Sequence, residues 1–423
     1  MKAILRSAHG LTWLGQFSRT DQATAMALVD KVRFIDETEF AQGIKTYLVD
    51  LLRQEPALFP MALYVEKEIP KSNDVPKRLF AEPKRKRRRR ITGSAEPWIY
   101  RILNKSGEVG SEGVLRTLVT ELQRSNSDQY VSHGGPDVLR KKKPNTFVVL
   151  TDFLGSGQRV SDFLTSVWKL RTFRSWYSGE QIRFMVIAYA GTKDAKEKIL
   201  RHPSAPDVRL IRGCKTLSAI RPPEERARLI ELCEKYHVQS HKGHGALGYK
   251  QAGALMVFAH GCPNNAPSIL HAKMRGWMPL FPGRSTAGVV ELSSGEGGAV
   301  LSMKLLQKRD VSVVLQRPNS PQVKSEAVKL LMDVLSAVTH GSRSELAISA
   351  RCDLTILETR IVVSKLRRLG WVNPSGRPTT EGIRQRDAYK RYLETQVDKK
   401  SSAPPTEDEI YYVPESLRRP RQV

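Results

Sequence analysis

The sequence predicts an α/β fold with a mostly parallel sheet. Continuous apolar runs of four or more residues recur along the first three quarters of the chain, and the segments between them carry apolar residues at helical spacing. Such runs are typical of strands that are covered on both faces. Their alternation with helices indicates parallel strands joined by helical crossovers, and sheets of this kind bind ligands at the carboxyl ends of their strands.

The elements can be placed in chain order. Residues 1–60 are predicted to form a helical extension, because apolar residues such as Ala25, Leu28 and Val29 share one helix face. The α/β domain is predicted to span 61–315. Its strands are expected from residue 61, at 147–150, from 182, at 208–211 and from 254, with helices at 112–123 and 225–236.

A glycine-bearing loop follows the strand predicted at 147–150. Asp152 lies where that strand ends, and the glycines allow a sharp turn into the next helix. Backbone N–H groups of the loop can then converge on an anion at the positive end of that helix. The candidate phosphate-binding residues are Gly155, Ser156, Gly157, Gln158 and Arg159. The alternative is an ordinary strand-to-helix turn that binds nothing.

The segment TFVVLTDFLGSGQRVSDF, residues 146–163, resembles the ribose-5-phosphate loop of type I phosphoribosyltransferases. In that family the loop holds the 5-phosphate of phosphoribosyl pyrophosphate, and two acids at the strand end contact the ribose hydroxyls. The resemblance implies a phosphoribosyltransferase-like fold, catalytic roles for Thr151 and Asp152, and Mg²⁺ with phosphoribosyl pyrophosphate or another nucleotide as cofactor. Thr151 replaces the first acid, although its hydroxyl can still bind a ribose. The pyrophosphate loop is expected within 65–93, where no specific motif identifies it.

Four further motifs carry a second, more specific resemblance. HGCPNNAPSIL at 260–270, PLFPGR from residue 279, WLGQF at 13–17 and GSEG at 110–113 are similar to motifs of divergent phosphoribosyltransferase-like proteins of bacterial conflict systems. That family is associated with anti-phage modules, including retrons, in which a reverse transcriptase is the partner. The resemblance implies a toxin effector of antiviral defence, with pentosyl transferase or N-glycosidic-bond-cleaving activity. The alternative is a catalytically inactive, nucleotide-sensing regulator or an assembly partner of a complex between reverse transcriptase and nucleic acid.

The first of these motifs holds the candidates for base or substrate recognition, which are His260, Cys262, Asn264 and Asn265. A cysteine beside a histidine suggests nucleophilic catalysis, and asparagine amides can read a base. The alternative is a structural loop in which prolines fix the backbone while the asparagines cap a helix. His241 and His244 form an HxxH pair that we interpret as loop, so no metal site is predicted.

The cysteine spacing and the apolar content indicate the cellular compartment. The four cysteines are widely spaced and form no CxxC pair, which predicts a reducing, cytoplasmic environment without disulfides. No stretch approaches 18 consecutive apolar residues, so no membrane span is expected.

The charge balance predicts a nucleic-acid partner. Lys and Arg number 69 against 43 Asp and Glu, a net charge of +26. DNA or structured RNA/DNA would be a matching polyanion. The densest run lies in a basic insertion at 72–95 that we expect to be mobile. Its candidate nucleic-acid-binding residues are Lys84, Arg85, Lys86, Arg87, Arg88, Arg89 and Arg90.

Residues 325–395 carry the pattern of a winged helix. Three amphipathic helices are predicted, the third over 355–369, and NPSGRP at 373–378 is typical of a turn at the tip of a hairpin. Such a third helix can enter a major groove, although winged helices also dock proteins. The candidate contacts are Thr355, Thr359, Arg360 and Lys365 on the helix and Arg377 on the wing. A disordered basic tail is expected at 396–423. The sequence does not indicate an oligomeric state.

Overall fold

The computed structural model describes residues 2–82, 91–93, 111–237, 245–286 and 326–401. Two compact units make up the chain, one formed by residues 1–297 with 344–359 and the other by residues 298–343 with 360–423. The basic run Lys84–Arg90 and the HxxH pair of His241 and His244 lie outside the described residues.

The strands and helices are numbered in chain order. The strands are β1 (Arg33–Ile35), β2 (Met61–Val65), β3 (Lys71–Ser72), β4 (Val75–Pro76), β5 (Tyr130–Ser132), β6 (Thr146–Leu154), β7 (Arg183–Gly191), β8 (Asp207–Gly213) and β9 (Met256–Phe258). The α-helices are α1 (Ala8–Leu14), α2 (Arg19–Lys31), α3 (Glu37–Gln54), α4 (Ser111–Ser125), α5 (Pro136–Lys142), α6 (Gln158–Trp168), α7 (Arg171–Ser178), α8 (Lys193–Leu200), α9 (Pro223–Lys235), α10 (Ser268–His271), α11 (Glu326–Thr339), α12 (Glu345–Cys352), α13 (Ile356–Arg368) and α14 (Thr380–Ser401).

A five-stranded sheet forms the centre of the first unit. Its strand order is β5-β2-β6-β7-β8, and every neighbouring pair is parallel. The predicted α/β class with a parallel sheet is therefore confirmed. Strand β6 lies in the middle, so the loop that follows it emerges between the ends of β2 and β7.

The apolar run of β6 is buried on both faces, as the sequence predicts. Phe147 and Val149 pack with the apolar face of α6 in one core cluster. Val148 and Leu150 point to the opposite face and pack with α3 and α4 in a second cluster. Because successive side chains of a strand alternate between faces, a strand inside two helical layers needs an uninterrupted apolar run.

The strand predicted from residue 254 exists, but it does not join the central sheet. It is β9, which pairs in parallel with β1 from the N-terminal extension. The extension is therefore mostly helical with one short strand. A third core cluster joins Trp13 and Leu28 to Val257 and Ile269, and the indole of Trp13 donates to the carbonyl of Ile269 at 3.1 Å. Three-residue strands carry too little pattern for the sequence to identify their partner.

The segment 344–359 belongs to the first unit, where it packs on β8. The amide of Gly213 donates to Ser349 Oγ at 2.9 Å, and Arg212 Nη1 donates to the carbonyl of Asp353 at 2.9 Å. Arg33 Nη1 lies 2.9 Å from Asp353 Oδ2. A β-carbon at Gly213 would lie 2.4 Å from the carbonyl oxygen of Leu346, so α12 approaches the backbone of β8 where glycine leaves room.

The second unit contains the hairpin that the sequence predicts. Asn373 N donates to the carbonyl of Arg377 at 2.9 Å, and Val372 forms a bridge with Pro378. Helices α11 and α14 pack together. Helix α14 continues to Ser401, so it includes the first residues of the tail expected to be disordered, whereas 402–423 lie outside the described residues. No helix in the described part of the chain has both the length and the apolar composition needed to cross a bilayer.

Gly213→Ala should loosen α12 from β8. The added methyl group meets a backbone carbonyl, which cannot rotate away, so we expect the free energy of unfolding of the first unit to fall by about 1–3 kcal/mol. Denaturant unfolding measures the loss, and amide exchange across 345–352 should accelerate. Gly15→Ala is the matched control, because Gly15 is right-handed helical and its nearest atom to an added β-carbon lies at 3.4 Å. Unchanged exchange in α12 would contradict the interpretation.

Candidate functional site

Asp152 and His260 meet at the carboxyl end of β6. Asp152 Oδ2 lies 3.0 Å from His260 Nε2 although the two residues are 108 positions apart. An ionised carboxylate only accepts hydrogen bonds, so this geometry assigns the proton to Nε2 of the imidazole. The ring of His260 stacks on Phe258 with 5.0 Å between centroids. Strand β9 and its neighbours thus hold the histidine against the acid.

The surroundings of Asp152 favour its charged form. Burial opposes ionisation, but the hydrogen bond and charge of His260, the charge of Arg159 and the amide of Phe153 together lower the pKa of Asp152 well below its ordinary value. The Phe153 N–H donates to Asp152 Oδ1 at 2.7 Å. The carboxylate is therefore ionised at neutral pH and fixed in orientation.

Glu66 is a site residue that the sequence analysis missed. It follows the last residue of β2, is only 7% exposed, and its Oε1 lies 2.9 Å from Nε of Arg159. The hydroxyl of Thr151 donates to Glu66 Oε2 at 3.4 Å. The sequence did contain a signal for Glu66, because it is an acid directly after a buried strand, and parallel sheets bind ligands at their strand ends.

The pKa of Glu66 is raised to about 7. Burial is the main cause, and the charges of Asp152 and Glu112 add to it, whereas Arg159 and the Thr151 hydroxyl act in the opposite direction. The charge of Arg159 offsets the effect of burial on the pKa of Glu66 only partly, because the Arg159 side chain is 60% exposed and water screens its charge. Their surroundings therefore shift the two neighbouring acids in opposite directions, with the pKa of Glu66 raised and that of Asp152 lowered.

The loop from β6 to α6 has the backbone that the glycines predict. Gly157 adopts φ +70°, in the left-handed region, and immediately precedes Gln158, the first residue of α6. A β-carbon at Gly155 would lie 2.0 Å from Oδ1 of Asn265, so any other residue there would displace this buried side chain. Thr192 Oγ1 donates to the carbonyl of Gly155 at 2.8 Å. These contacts fix a turn at the N-terminus of an 11-residue helix, the position suited to an anion.

Three side chains of the predicted phosphate loop already have partners within the protein. Gln158 Nε2 donates to Asp162 at 2.9 Å, its Oε1 accepts from Lys198 Nζ at 2.7 Å, and Arg159 pairs with Glu66. Ser156 Oγ accepts from the amide of Gln158 at 3.3 Å. The contribution of this loop to phosphate binding would therefore come from its amides and from the exposed part of Arg159.

The remaining base-recognition candidates have structural contacts. Cys262 is fully buried, and burial raises the pKa of its thiol to about 12, so it is not an activated nucleophile. Asn264 accepts from the amide of Tyr249 through its carbonyl at 2.8 Å. Asn265 Nδ2 donates to the carbonyl of Tyr249 at 3.1 Å. The residue before α10 is Pro267, so neither asparagine caps that helix.

Two of the winged-helix candidates do not face outward. Thr355 and Glu358 form a capping box, in which each backbone amide donates to the side chain of the other residue at 2.7 and 3.1 Å. Thr359 is fully buried, and its hydroxyl donates to the carbonyl of Thr355. In this arrangement neither threonine can read a base. Arg360 and Arg377 are exposed and Lys365 is half-buried, so these basic residues stay candidates.

Comparison with known proteins identifies the family. Residues 11–282 match a protein-family model described as PRTase-CE, which covers more than half of the chain. The chain belongs to the PRTase-CE family. A second model, described as wHTH-PRTase associated, matches residues 332–419. The phosphoribosyltransferase-like domain and a winged helix-turn-helix associated with it are thereby confirmed. No curated protein and no solved structure matched the chain.

The residues matched by the family model include the candidate site. The matched residues 11–282 include the loop after β6, Asp152, His260 and Glu66. In the described part of this PRTase-CE chain, no group of three or more His, Cys, Asp or Glu residues could hold a metal ion by itself. All four cysteines are free.

Replacing Glu66 with Gln should stabilise the protein in a pH-dependent manner. Burial raises the pKa of Glu66 to about 7 in the folded protein, against 4.5 for an unperturbed glutamate, so its charge costs stability as the pH rises through this interval. We expect Glu66→Gln to gain ~2 kcal/mol over wild type between pH 5 and pH 8. Urea unfolding at both pH values measures the difference. Glu121→Gln, at an exposed position of α4, is the control, and an equal effect of Glu66→Gln at both pH values would contradict the raised pKa.

Proposed function

We propose that this PRTase-CE protein acts on a phosphoribosyl-bearing nucleotide or nucleobase substrate, either transferring the pentosyl group or cleaving an N-glycosidic bond. The observation that carries the proposal is the ionised Asp152 at the end of the central strand, beside a turn fixed by two glycines at the start of α6. This arrangement offers a carboxylate to a sugar and an N-terminal helix end to its phosphate.

Each part of the site has a role in this reaction. The amides of Gly155 to Arg159 would hold the 5-phosphate, and Asp152 would accept hydrogen bonds from a ribose hydroxyl. His260, at 3.0 Å from Asp152, is a positioning residue that keeps the carboxylate oriented. When the bond from C1 to the leaving group breaks, its electron pair goes to the leaving group, and the carboxylates stabilise the positive charge that develops on the ribose. A base nitrogen or water then forms the new bond at C1.

Mg²⁺ would fit this site as a companion of the substrate. Mg²⁺ is usually bound by one or two carboxylates together with substrate phosphates and water. Asp152 and Glu66 are oxygen donors of this kind, and Glu66 Oε1 has an ion-pair contact with Arg159 Nε at 2.9 Å but no hydrogen bond of good geometry from the described residues. When bound, the ion would neutralise the charge of a leaving diphosphate.

We propose that the winged helix and the basic surface bind nucleic acid. The net charge of +26 supports a polyanionic partner. Arg360 on α13 and Arg377 on the hairpin are exposed, so both can approach a phosphate backbone. DNA and structured RNA/DNA share this backbone chemistry.

The cellular role that fits best is that of a cytoplasmic effector in a bacterial anti-phage system, with a retron and its reverse transcriptase as the expected setting. The support is the similarity of the motifs at 13–17, 110–113 and 260–270 to that conflict-system family. Depletion of a nucleotide pool through a reaction at C1 would account for toxicity.

A second function is a nucleotide-sensing regulator without turnover, or an assembly partner of a complex between reverse transcriptase and nucleic acid. Thr151 favours this alternative, since a hydroxyl stands where the related enzymes have an acid. The pairing of Asp152 with His260 favours it as well, because a carboxylate with protein partners has less capacity for substrate.

Asp152→Asn should abolish turnover while leaving nucleic-acid affinity unchanged. The amide removes the negative charge that would stabilise the transition state, so nucleotide pools of cells expressing the variant should match those of cells lacking the protein. Mass spectrometry of the pools, with and without phage challenge, measures this effect. Asp128→Asn, whose side chain is 89% exposed in wild type, is the matched control. Full defence by Asp152→Asn with unaltered pools would support the regulator instead.

Arg360→Ala with Arg377→Ala should weaken nucleic-acid binding at every sequence tested. Each arginine that contacts a phosphate releases a counterion, so the slope of log affinity against log salt should become shallower by about 0.9 for each lost contact. Fluorescence anisotropy with labelled duplexes between low and physiological salt measures the slope. An affinity of the wild type that does not depend on salt would rule out a phosphate-dominated interface.

A further inference from the structure

Thr151 lies between two carboxylates. Its hydroxyl oxygen is 3.4 Å from Glu66 Oε2 and 3.4 Å from Asp152 Oδ1. Val65 pairs with Leu150 across the two strands, and the amide of Glu66 donates to the carbonyl of Leu150 at 2.7 Å. The parallel register therefore continues beyond the strand end and places Glu66 beside Thr151. The site contains two acids, one within β6 and one directly after its neighbour β2.

The carboxylate of Glu66 has hydrogen-bond acceptor capacity that a ligand could fill. The side chain is 6% exposed and its Oε1 lies 2.9 Å from Arg159 Nε, yet this oxygen accepts no hydrogen bond of good geometry from the described residues. A carboxylate has about four acceptor sites. The Thr151 hydroxyl and the Arg159 ion pair occupy only some of them in Glu66, and an incompletely satisfied buried carboxylate is costly. Vicinal hydroxyl groups are donors that match two adjacent carboxylates.

The geometry points to Glu66 as a ribose-binding residue that supplies, from strand β2, the second carboxylate that Thr151 does not provide. The inference rests on the proposed function, because it assigns the ribose of a phosphoribosyl substrate to this site. Glu66 and Asp152 would each accept from a ribose hydroxyl, and the Thr151 hydroxyl between them would keep the two carboxylates apart. Arg159, at the start of α6, would link the ribose site to the phosphate turn.

The neighbouring acids disfavour the charged form of Glu66 in the protein alone. Asp152 and Glu112 raise the pKa of Glu66, and Arg159 and Thr151 lower it. A ligand that donates hydrogen bonds would favour the charged form in the same way as Thr151 does. The acid is therefore poorly satisfied in the protein alone and better satisfied with a polyhydroxyl ligand.

Calorimetric titration of the full chain with ribose 5-phosphate and with inorganic phosphate tests the assignment. We expect Glu66→Gln to weaken ribose 5-phosphate binding by about tenfold or more, because a charge-assisted hydrogen bond is lost. Inorganic phosphate should bind at least as well as to wild type, since the turn is intact and Arg159 is released. The double variant Glu66→Gln with Thr151→Asp should recover most of the ribose 5-phosphate affinity.

The possible outcomes distinguish a failure of the Glu66 assignment from a failure of the proposed function. If wild type binds ribose 5-phosphate and Asp152→Asn weakens it, but Glu66→Gln binds equally well, the role of Glu66 is overturned and the proposed function stands. A folded double variant that stays as weak as Glu66→Gln also overturns it. If wild type binds neither ribose 5-phosphate nor phosphate, the proposed function itself fails. Circular dichroism and thermal unfolding confirm that each variant is folded.

Discussion

The parallel pairing of β2 with β6 is the constraint on which the site depends. Because the two strands run side by side in the same direction, their carboxyl ends open at one edge of the sheet, and each delivers an acid there. The pairing also places the turn to α6 beside Glu66, so that Arg159 can reach across to it.

A second segment completes the site from far along the chain. Strand β9 pairs with β1 rather than with the central sheet, and from there the chain brings His260 to Asp152 and Asn265 to Gly155. The close approach of Asn265 requires a glycine at 155. The segment after β9 therefore borders the site, and its buried residues Cys262 and Asn265 contact other parts of the protein.

The winged helix-turn-helix is partly built into the first unit. Helix α12 packs on β8 through Ser349 and Gly213, and Asp353 accepts from Arg212 and pairs with Arg33. Arg33 belongs to β1, whose partner β9 leads to His260. Thr355 and Glu358 at the start of α13 are used for capping, so the exposed basic residues Arg360 and Arg377 stay candidates for nucleic-acid contact.

The sequence by itself determined the fold class, the glycine-bearing turn before α6 and the winged helix. These features depend on local patterns: the apolar run 147–150, the glycines at 155 and 157, and the turn at 373–378. Only the tertiary structure decided that β9 leaves the central sheet, that Glu66 stands beside Thr151, that His260 orients Asp152, and that Thr359 is buried. The physical reason is that apolar periodicity specifies which face of an element is buried, whereas strand partners and contacts between distant residues depend on how the buried faces fit together.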